Sequence, residues 1–323
     1  MTSIFLIDIS IDIDVEIDQT SRITQHYIYM YFKYIQASLV KISWVFLAFL
    51  AASSAKAIDL QPGDATAPTP GLQSLQLSYL NAERVAVSNA KVNQTQAQIR
   101  YARAFELNAQ PALFYIHTGT GKTETAGSLT PYPSDNGAID TTLVLAYWPY
   151  VNRANKTYFA MAGYLVAPTG SYSSERVFNM GENRYKWAGQ VAYQTRIAPA
   201  LDWMSAFDIL WFGSNDESRQ SLLPNAVVGQ LDQKALYSAQ TGLLYDLNSN
   251  YSLAASYFYS KGGETIFRGA AQNNEMTMHR YQLSLIGKYS FGRVSLQYGQ
   301  DIDSNASFED KHRIFLRLTK YFQ

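Results

Sequence analysis

A chain of 323 residues that balances 26 Lys and Arg against 26 Asp and Glu has no basic excess with which to hold nucleic acid. The lack of any cysteine excludes disulfide scaffolds, thiolate metal sites, cysteine nucleophiles and lipidation of an N-terminal cysteine. With 24 Tyr, 16 Phe and 5 Trp, aromatic content reaches 14%, the composition expected where aromatic girdles mark two membrane interfaces.

In chain order, residues 1–40 come first, with an Ile-Asp repeat from Ile4 to Asp18 and a tyrosine-rich run from Tyr27 to Tyr34. Neither resembles a folded domain, and the stretch reads as a start-site artefact with translation beginning near Met30, Leu39 or Val40. Residues 41–57 have the form of a signal peptide: Lys41, an apolar run from Ile42 to Ala52 too short for a membrane helix, and an Ala-Lys-Ala cleavage site ending at Ala57. Residues 58–71 carry Pro62, Pro68 and Pro70, which rule out a central strand or a continuous helix. This segment starts from the periplasmic side and is expected to be either a partial plug of the lumen or a tether.

Residues 72–323 form a series of period-two segments. Twelve strands are predicted, near 72–87, 93–107, 111–118, 139–151, 156–167, 185–196, 201–212, 234–246, 251–261, 278–289, 293–302 and 311–322. Their joints alternate in length. Asn108 to Gln110, Asn152 to Asn155, Ile197 to Ala200, Leu247 to Asn250 and Ser290 to Arg293 are tight turns rich in Asn, Gly, Pro and Ser. Between them lie long connections, Gly119 to Ala138, Pro168 to Arg184, Gly213 to Lys234 and Gly262 to Thr277. Outer-membrane barrels sort loops by length in this way, because only short turns sit on the periplasmic side. The fold class is therefore all-β, a transmembrane antiparallel up-and-down barrel of about twelve strands in the bacterial outer membrane.

Charge on the lipid face costs about 2 to 4 kcal/mol for Arg or Lys at mid-bilayer, so the charged parity of each strand must face the lumen. Trp203, Phe207, Ile209 and Trp211 alternate with Asp202 and Asp208; Tyr281, Leu283, Leu285 and Tyr289 alternate with Arg280, Gln282 and Lys288. The lumen-lining set predicted in this way is Lys186, Gln190, Arg196, Asp202, Asp208, Asp246, Arg280, Lys288, Arg293, Arg313 and Arg317. Its basic members, in modest excess, are expected to form ion-pair ladders with Glu106, Asp202, Asp208, Asp246 and Asp301. Arg103 shares parity with Ile99, Tyr101 and Phe105, which places it near an interface or beside a bulge. The last strand ends in Phe322, the C-terminal aromatic that barrel-assembly machinery reads, with Gln323 after it.

The stretch Leu165-Val-Ala-Pro-Thr-Gly-Ser-Tyr172, followed by Arg176, Asn179, Gly181, Asn183, Arg184 and Trp187, resembles the outer-membrane transporter family named for the meta-pathway of phenol degradation, which includes sphingosine-induced outer-membrane proteins. Leu60 to Ala65, Gly262-Gly-Glu264 and Leu316-Arg-Leu318 add to the resemblance, which spans residues 58–322. It implies an outer-membrane barrel associated with uptake of aromatic or other hydrophobic compounds.

Remaining motifs point to no chemistry. Gly119-Thr-Gly-Lys-Thr123 looks like the end of a phosphate-binding loop but has Ile116 where the first glycine belongs, and no helical pattern follows. His117, His279 and His312 have neither a serine constellation nor metal-ligand spacing. No enzyme activity, catalytic residue, metal or cofactor is expected. Pro168, Thr169, Gly170, Tyr172, Arg176, Asn179, Gly181, Asn183 and Arg184 are expected to shape a loop folded over the pore, with Arg176 and Arg184 paired to Glu175 or Glu182; the alternative is that this stretch constricts the channel and reads a ligand. The expected function is a passive, porin-like uptake channel for small hydrophobic, aromatic or amphipathic compounds. The alternative is a non-conducting structural or adhesive barrel. Expected partners are membrane lipid, lipopolysaccharide, the barrel-assembly machinery and a small hydrophobic substrate, with no nucleic acid.

Overall fold

The computed structural model describes residues 58–86, 89–176, 178–219, 226–305 and 308–323. The predicted signal peptide and the residues before it lie outside that set. The strands are β1 (Gln73–Ala86), β2 (Ala90–Leu107), β3 (Gln110–Gly127), β4 (Asp135–Ala138), β5 (Thr141–Asn152), β6 (Thr157–Ala167), β7 (Lys186–Ala198), β8 (Leu201–Phe212), β9 (Asn215–Arg219), β10 (Val228–Gln233), β11 (Leu236–Asp246), β12 (Tyr251–Gly262), β13 (Thr265–Phe267), β14 (Ala270–Ala271), β15 (Met276–Tyr289), β16 (Gly292–Ser304) and β17 (Glu309–Phe322).

Twelve of them, all but β4, β9, β10, β13 and β14, pair antiparallel with their chain neighbours, and β17 returns to β1, from Gln73↔Phe322 to Val85↔Glu309. The sheet therefore closes, and no edge is left to pair with another chain. At the periplasmic end, Asn108 and Ala109 both adopt positive φ (49° and 60°), the geometry of the tight hairpin that links β2 to β3.

The two faces of the wall follow the period-two pattern. Leu77, Leu145, Phe207, Leu283 and Leu316 are exposed on the outside, between aromatic residues at both rims such as Trp187 and Trp211 above and Tyr245 and Tyr289 below. Polar side chains take the other parity and are buried: Gln190, Asp208, Gln240, Arg280, Gln297 and Arg317. Arg103 is exposed on the outer parity five residues before the periplasmic turn at Asn108, and the β2–β3 register runs through it without a shift. The interface position therefore accounts for it, not a bulge.

Three connections differ from expectation. The loop predicted to begin at Gly119 does not; β3 continues to Gly127, paired with β2 over its full length and with β4 from Thr120 to Thr123. That extension has no apolar face, because it rises above the lipid, where Lys122 and Glu124 form an exposed ion pair at 2.9 Å. The connections after β8 and β12 carry β9, β10, β13 and β14, which join in a small second sheet on the extracellular side.

Candidate functional site

The lumen is occupied from within by the proline-rich segment ahead of β1. Gly71 and Leu72 bond to Ala104 at the periplasmic rim, and from there the chain runs inward. Its far end does not stay periplasmic: Ile58 packs against Val144, Tyr164, Leu210 and Leu236, near the extracellular ends of β8 and β11. Three prolines prevent the segment from forming a strand or helix, so its backbone groups are satisfied partly by its own turns, as from Asp64 N to Gln61 O at 2.9 Å, and partly by the wall. Trp148 Nε1 donates to Ala65 O at 2.8 Å, Arg153 to Ala67 O and Pro68 O at 3.1 and 3.0 Å, Arg293 to Pro62 O at 2.7 Å, and Gln190 to Ile58 O at 3.1 Å. Leu60 N donates to Gln240 Oε1 at 3.2 Å.

The segment also recruits the lumen's arginines. Arg280 and Arg313 both bond to the Asp59 carboxylate, Arg313 at 2.8 Å, and Asp64 sits 3.9 Å from Arg293 and 4.0 Å from both Arg100 and Arg317. Of the predicted residues, those described in wall-to-wall pairs gather at the periplasmic rim; a pair the prediction did not include, Arg84 with Asp310 at 3.1 Å, joins β1 to β17 at the extracellular end. At the periplasmic rim Arg196 reaches Asp202 at 2.7 Å and Asp246 at 3.1 Å, and Lys288 and Lys156 join Asp246 at 3.4 and 3.1 Å. Lys186 turns upward to Glu182 at 2.6 Å. Asp208 makes no ion pair among the described residues; it accepts from Gln190 at 3.4 Å and faces the Ile58 amide. Glu106 lies exposed beside the turn after β2, and Asp301 accepts from the Asp310 amide at 2.7 Å. Parity could place these side chains on the inner face, but it could not show that their partners would come from the segment ahead of the barrel.

Over the extracellular mouth, the connection between β6 and β7 folds back on itself around one carboxylate. Asp140 accepts from the Gly170 amide at 2.9 Å and the Glu182 amide at 3.0 Å. The two arms of the loop touch at Gly170 and Gly181, where a Cβ on Gly181 would lie 2.8 Å from both Asp140 Oδ1 and the Gly170 backbone. Thr169 bonds Thr141 at 2.7 Å, Tyr172 reaches Glu217 O at 2.8 Å, and Asn183 reaches Asn215 at 3.1 Å. Asn179 closes the turn by accepting from the Ser173 amide and donating to the Ser173 and Arg176 carbonyls. Pro168 ends the strand-like run into the loop. Arg184 pairs with Glu182 at 2.8 Å, as anticipated, whereas the partner of Arg176 is Asp135 on β4, a strand the sequence pattern did not reveal. Burial pushes the Glu182 carboxyl up, but Lys186 and Arg184 outweigh it and hold the group at about 2. Burial raises Asp140 above the usual carboxylate range despite its two amide donors.

Gly121, in the phosphate-loop look-alike, has a structural explanation: a Cβ there would collide with Thr95 O in the β2 backbone and lie 2.9 Å from Met180 Cε, so glycine lets β3 approach its neighbour and leaves room for the loop's buried methionine. His117 contacts Gln98 Oε1 at 3.2 Å, His279 bonds the Tyr257 hydroxyl on the outer face, and His312 pairs with Glu83 in the β1–β17 ladder. No group of His, Asp or Glu suited to a metal ion occurs among the described residues.

Two sizeable cavities stand out among the described residues. One of about 950 Å³ runs between the segment and the wall, lined by Arg100, Tyr115, Trp148, Phe315 and Arg317, and reaches the periplasmic turn at Ser290. The other, of about 260 Å³, lies under the extracellular loop between Arg176, Phe178, Met180 and Arg184. Thr142 lines both.

Among solved structures, the chain is similar to the COG4313 outer membrane channel from Pseudomonas putida F1, with TM-score 0.74 and 22% identity over 82% of this chain and 100% of that one. Weaker likenesses are to the beta domain of the Bordetella autotransporter BrkA (TM-score 0.47, 9% identity, 77% and 98% covered) and to the Pseudomonas putida toluene transporter TodX (TM-score 0.45, 10% identity, 86% and 96% covered). No curated protein matches the chain. The first likeness agrees with the outer-membrane barrel read from the strands, and residues 81–317 match the family model described as "Putative MetA-pathway of phenol degradation", the family to which this chain belongs.

Proposed function

We propose that this barrel is a passive outer-membrane channel for small hydrophobic, aromatic or amphipathic compounds, without catalysis or cofactor. The observation that carries this reading is that two cavities, one under the extracellular loop and one reaching the periplasmic turns, lie in series along the bore with Thr142 in the lining of both. Tyr115, Trp148 and Phe315 give the larger cavity aromatic walls, and membership of a phenol-degradation family fits such a cargo. The exposed apolar belt contacts membrane lipid. Lipopolysaccharide around the extracellular rim, and recognition of β17 by the barrel-assembly machinery, belong to the same proposal. A second reading, a sealed structural or adhesive barrel, draws on the dense bonding of the proline-rich segment to the wall. Planar-bilayer recording with the purified protein separates the two. Discrete single-channel steps, with accelerated phenol entry into proteoliposomes, are expected; no current and no entry would establish the sealed barrel.

A further inference from the structure

We infer that Arg100, Arg293 and Arg317, flanked by the rings of Tyr115 and Phe315, form a subsite in the lumen for the carboxylate of an aromatic acid. The inference deepens the channel reading by naming a class of cargo. These guanidiniums come from β2, β16 and β17 and converge on the single carboxylate of Asp64, at 4.0, 3.9 and 4.0 Å. A charge-assisted N–H to O bond spans about 2.7–2.9 Å. Asp64 is therefore suspended among three cations without bonding closely to any of them.

The arginines find only part of what they need elsewhere. Arg100 donates to Gln76 Oε1 at 2.8 Å and Arg293 to Pro62 O at 2.7 Å. Arg317, 5% exposed, has no partner for Nε or Nη2 among the described residues, and Arg100 has none for Nε. Buried polar groups are paired in roughly 90% or more of cases, and like charges held together raise each other's cost. A planar oxyanion corrects both faults, because the guanidinium fork matches a carboxylate in two parallel bonds.

The rings decide which carboxylate. Arg100 lies over Tyr115 at 5.1 Å and Arg317 over Phe315 at 5.4 Å, so two aromatic faces border the unpaired donors. Both rings and all three arginines line the cavity of about 950 Å³, within the size range of small-molecule sites. An aliphatic acid would satisfy the charge and leave the rings unused; a neutral aromatic would do the reverse.

The test is isothermal titration calorimetry on full-length exported protein in detergent, with benzoate, acetate and benzyl alcohol as probes, alongside single-channel block by the same three. Benzoate should bind at least tenfold more tightly than either of the others. R317Q and R100Q should each weaken benzoate at least tenfold. D64N, which removes the resident anion, should tighten it at least threefold, an effect opposite in sign to that of lost packing. K122Q, in the exposed pair above the lipid, should change nothing. If R317Q fails to fold on a heat-modifiability gel, R100Q and D64N still decide. Benzoate binding no better than acetate, or weakened by D64N, would overturn the subsite. Calorimetry needs no current, so a conducting barrel indifferent to benzoate loses the subsite alone, and a silent barrel that binds benzoate loses only the channel reading.

Discussion

The proline-rich segment in the lumen and the β6–β7 loop over the mouth both fill the barrel's bore, yet they are held in different ways. Among the loop's described residues, donors and acceptors match except at Arg184 Nη1: Asp140 takes two amides, Asn179 makes three bonds and Glu182 meets both Arg184 and Lys186. Around the segment, matching is incomplete; Asp208 Oδ2, Arg280 Nε, Arg313 Nε and Gln240 Nε2 are buried without partners among the described residues. A saturated network resists rearrangement, whereas a half-satisfied one gives up less when it opens. The expectation is that the loop stays in place as part of the wall and that the segment is the filling more easily removed.

The sharpest way to break that comparison is to remove the filling. Deleting Asp59 to Pro70 should raise single-channel conductance several-fold while the barrel still assembles, as read by planar bilayers and heat-modifiability. Unchanged conductance with normal assembly would show that the segment does not obstruct the pore. Next, Asp59→Asn strips Arg280 and Arg313 of a shared buried counter-ion. Breaking such a pair costs about 3–5 kcal/mol, so thermal denaturation should shift down and conductance move towards that of the deletion.

Smaller effects are expected at the loop. Gly181→Ala forces a methyl to within 2.8 Å of Asp140 and the Gly170 backbone, a strain of about 1–3 kcal/mol, and limited proteolysis should then cut the loop while the lumen segment stays protected. The smallest expected effect is in pH. Glu182 is held at about 2, below its unfolded value of 4.5, so its stabilisation is complete above that unfolded value and fades as pH falls towards 2. Asp140 has the opposite sign: its raised value disfavours the folded loop when ionised, and the penalty lifts as pH falls through that value. Loop protection against proteolysis should therefore hold from pH 7 to about pH 4.5 and weaken only in stronger acid. E182Q should show weaker protection at pH 7 and lose the acid-dependent fall; a wild-type loop that opened between pH 7 and 5 would contradict this.

The barrel itself was legible because lipid on one side and water on the other impose a strict alternation. That alternation located all twelve wall strands and the inner parity of Asp208, Arg280 and Arg317. It disappeared where the chain left the membrane. Above the lipid, β3 from Gly119 to Gly127 needs no apolar face, and the short strands β9, β10, β13 and β14 carry no repeat long enough to read. The glycines of the loop motif stood out in sequence, but the contact between Gly170 and Gly181 joins positions eleven apart, and the Asp135 that holds Arg176 lies 41 residues upstream.

The sequence by itself determined the membrane barrel, its orientation and its charged interior, since these follow from local rules of period, turn chemistry and the cost of charge in lipid. Only the tertiary structure decided what each interior charge meets. Asp59 and Arg280 are 221 residues apart, and Arg313 is 254 residues from the same carboxylate. They come together because the closed sheet leaves a bore into which a proline-broken segment can fold, and no local pattern encodes the partner across a closed ring.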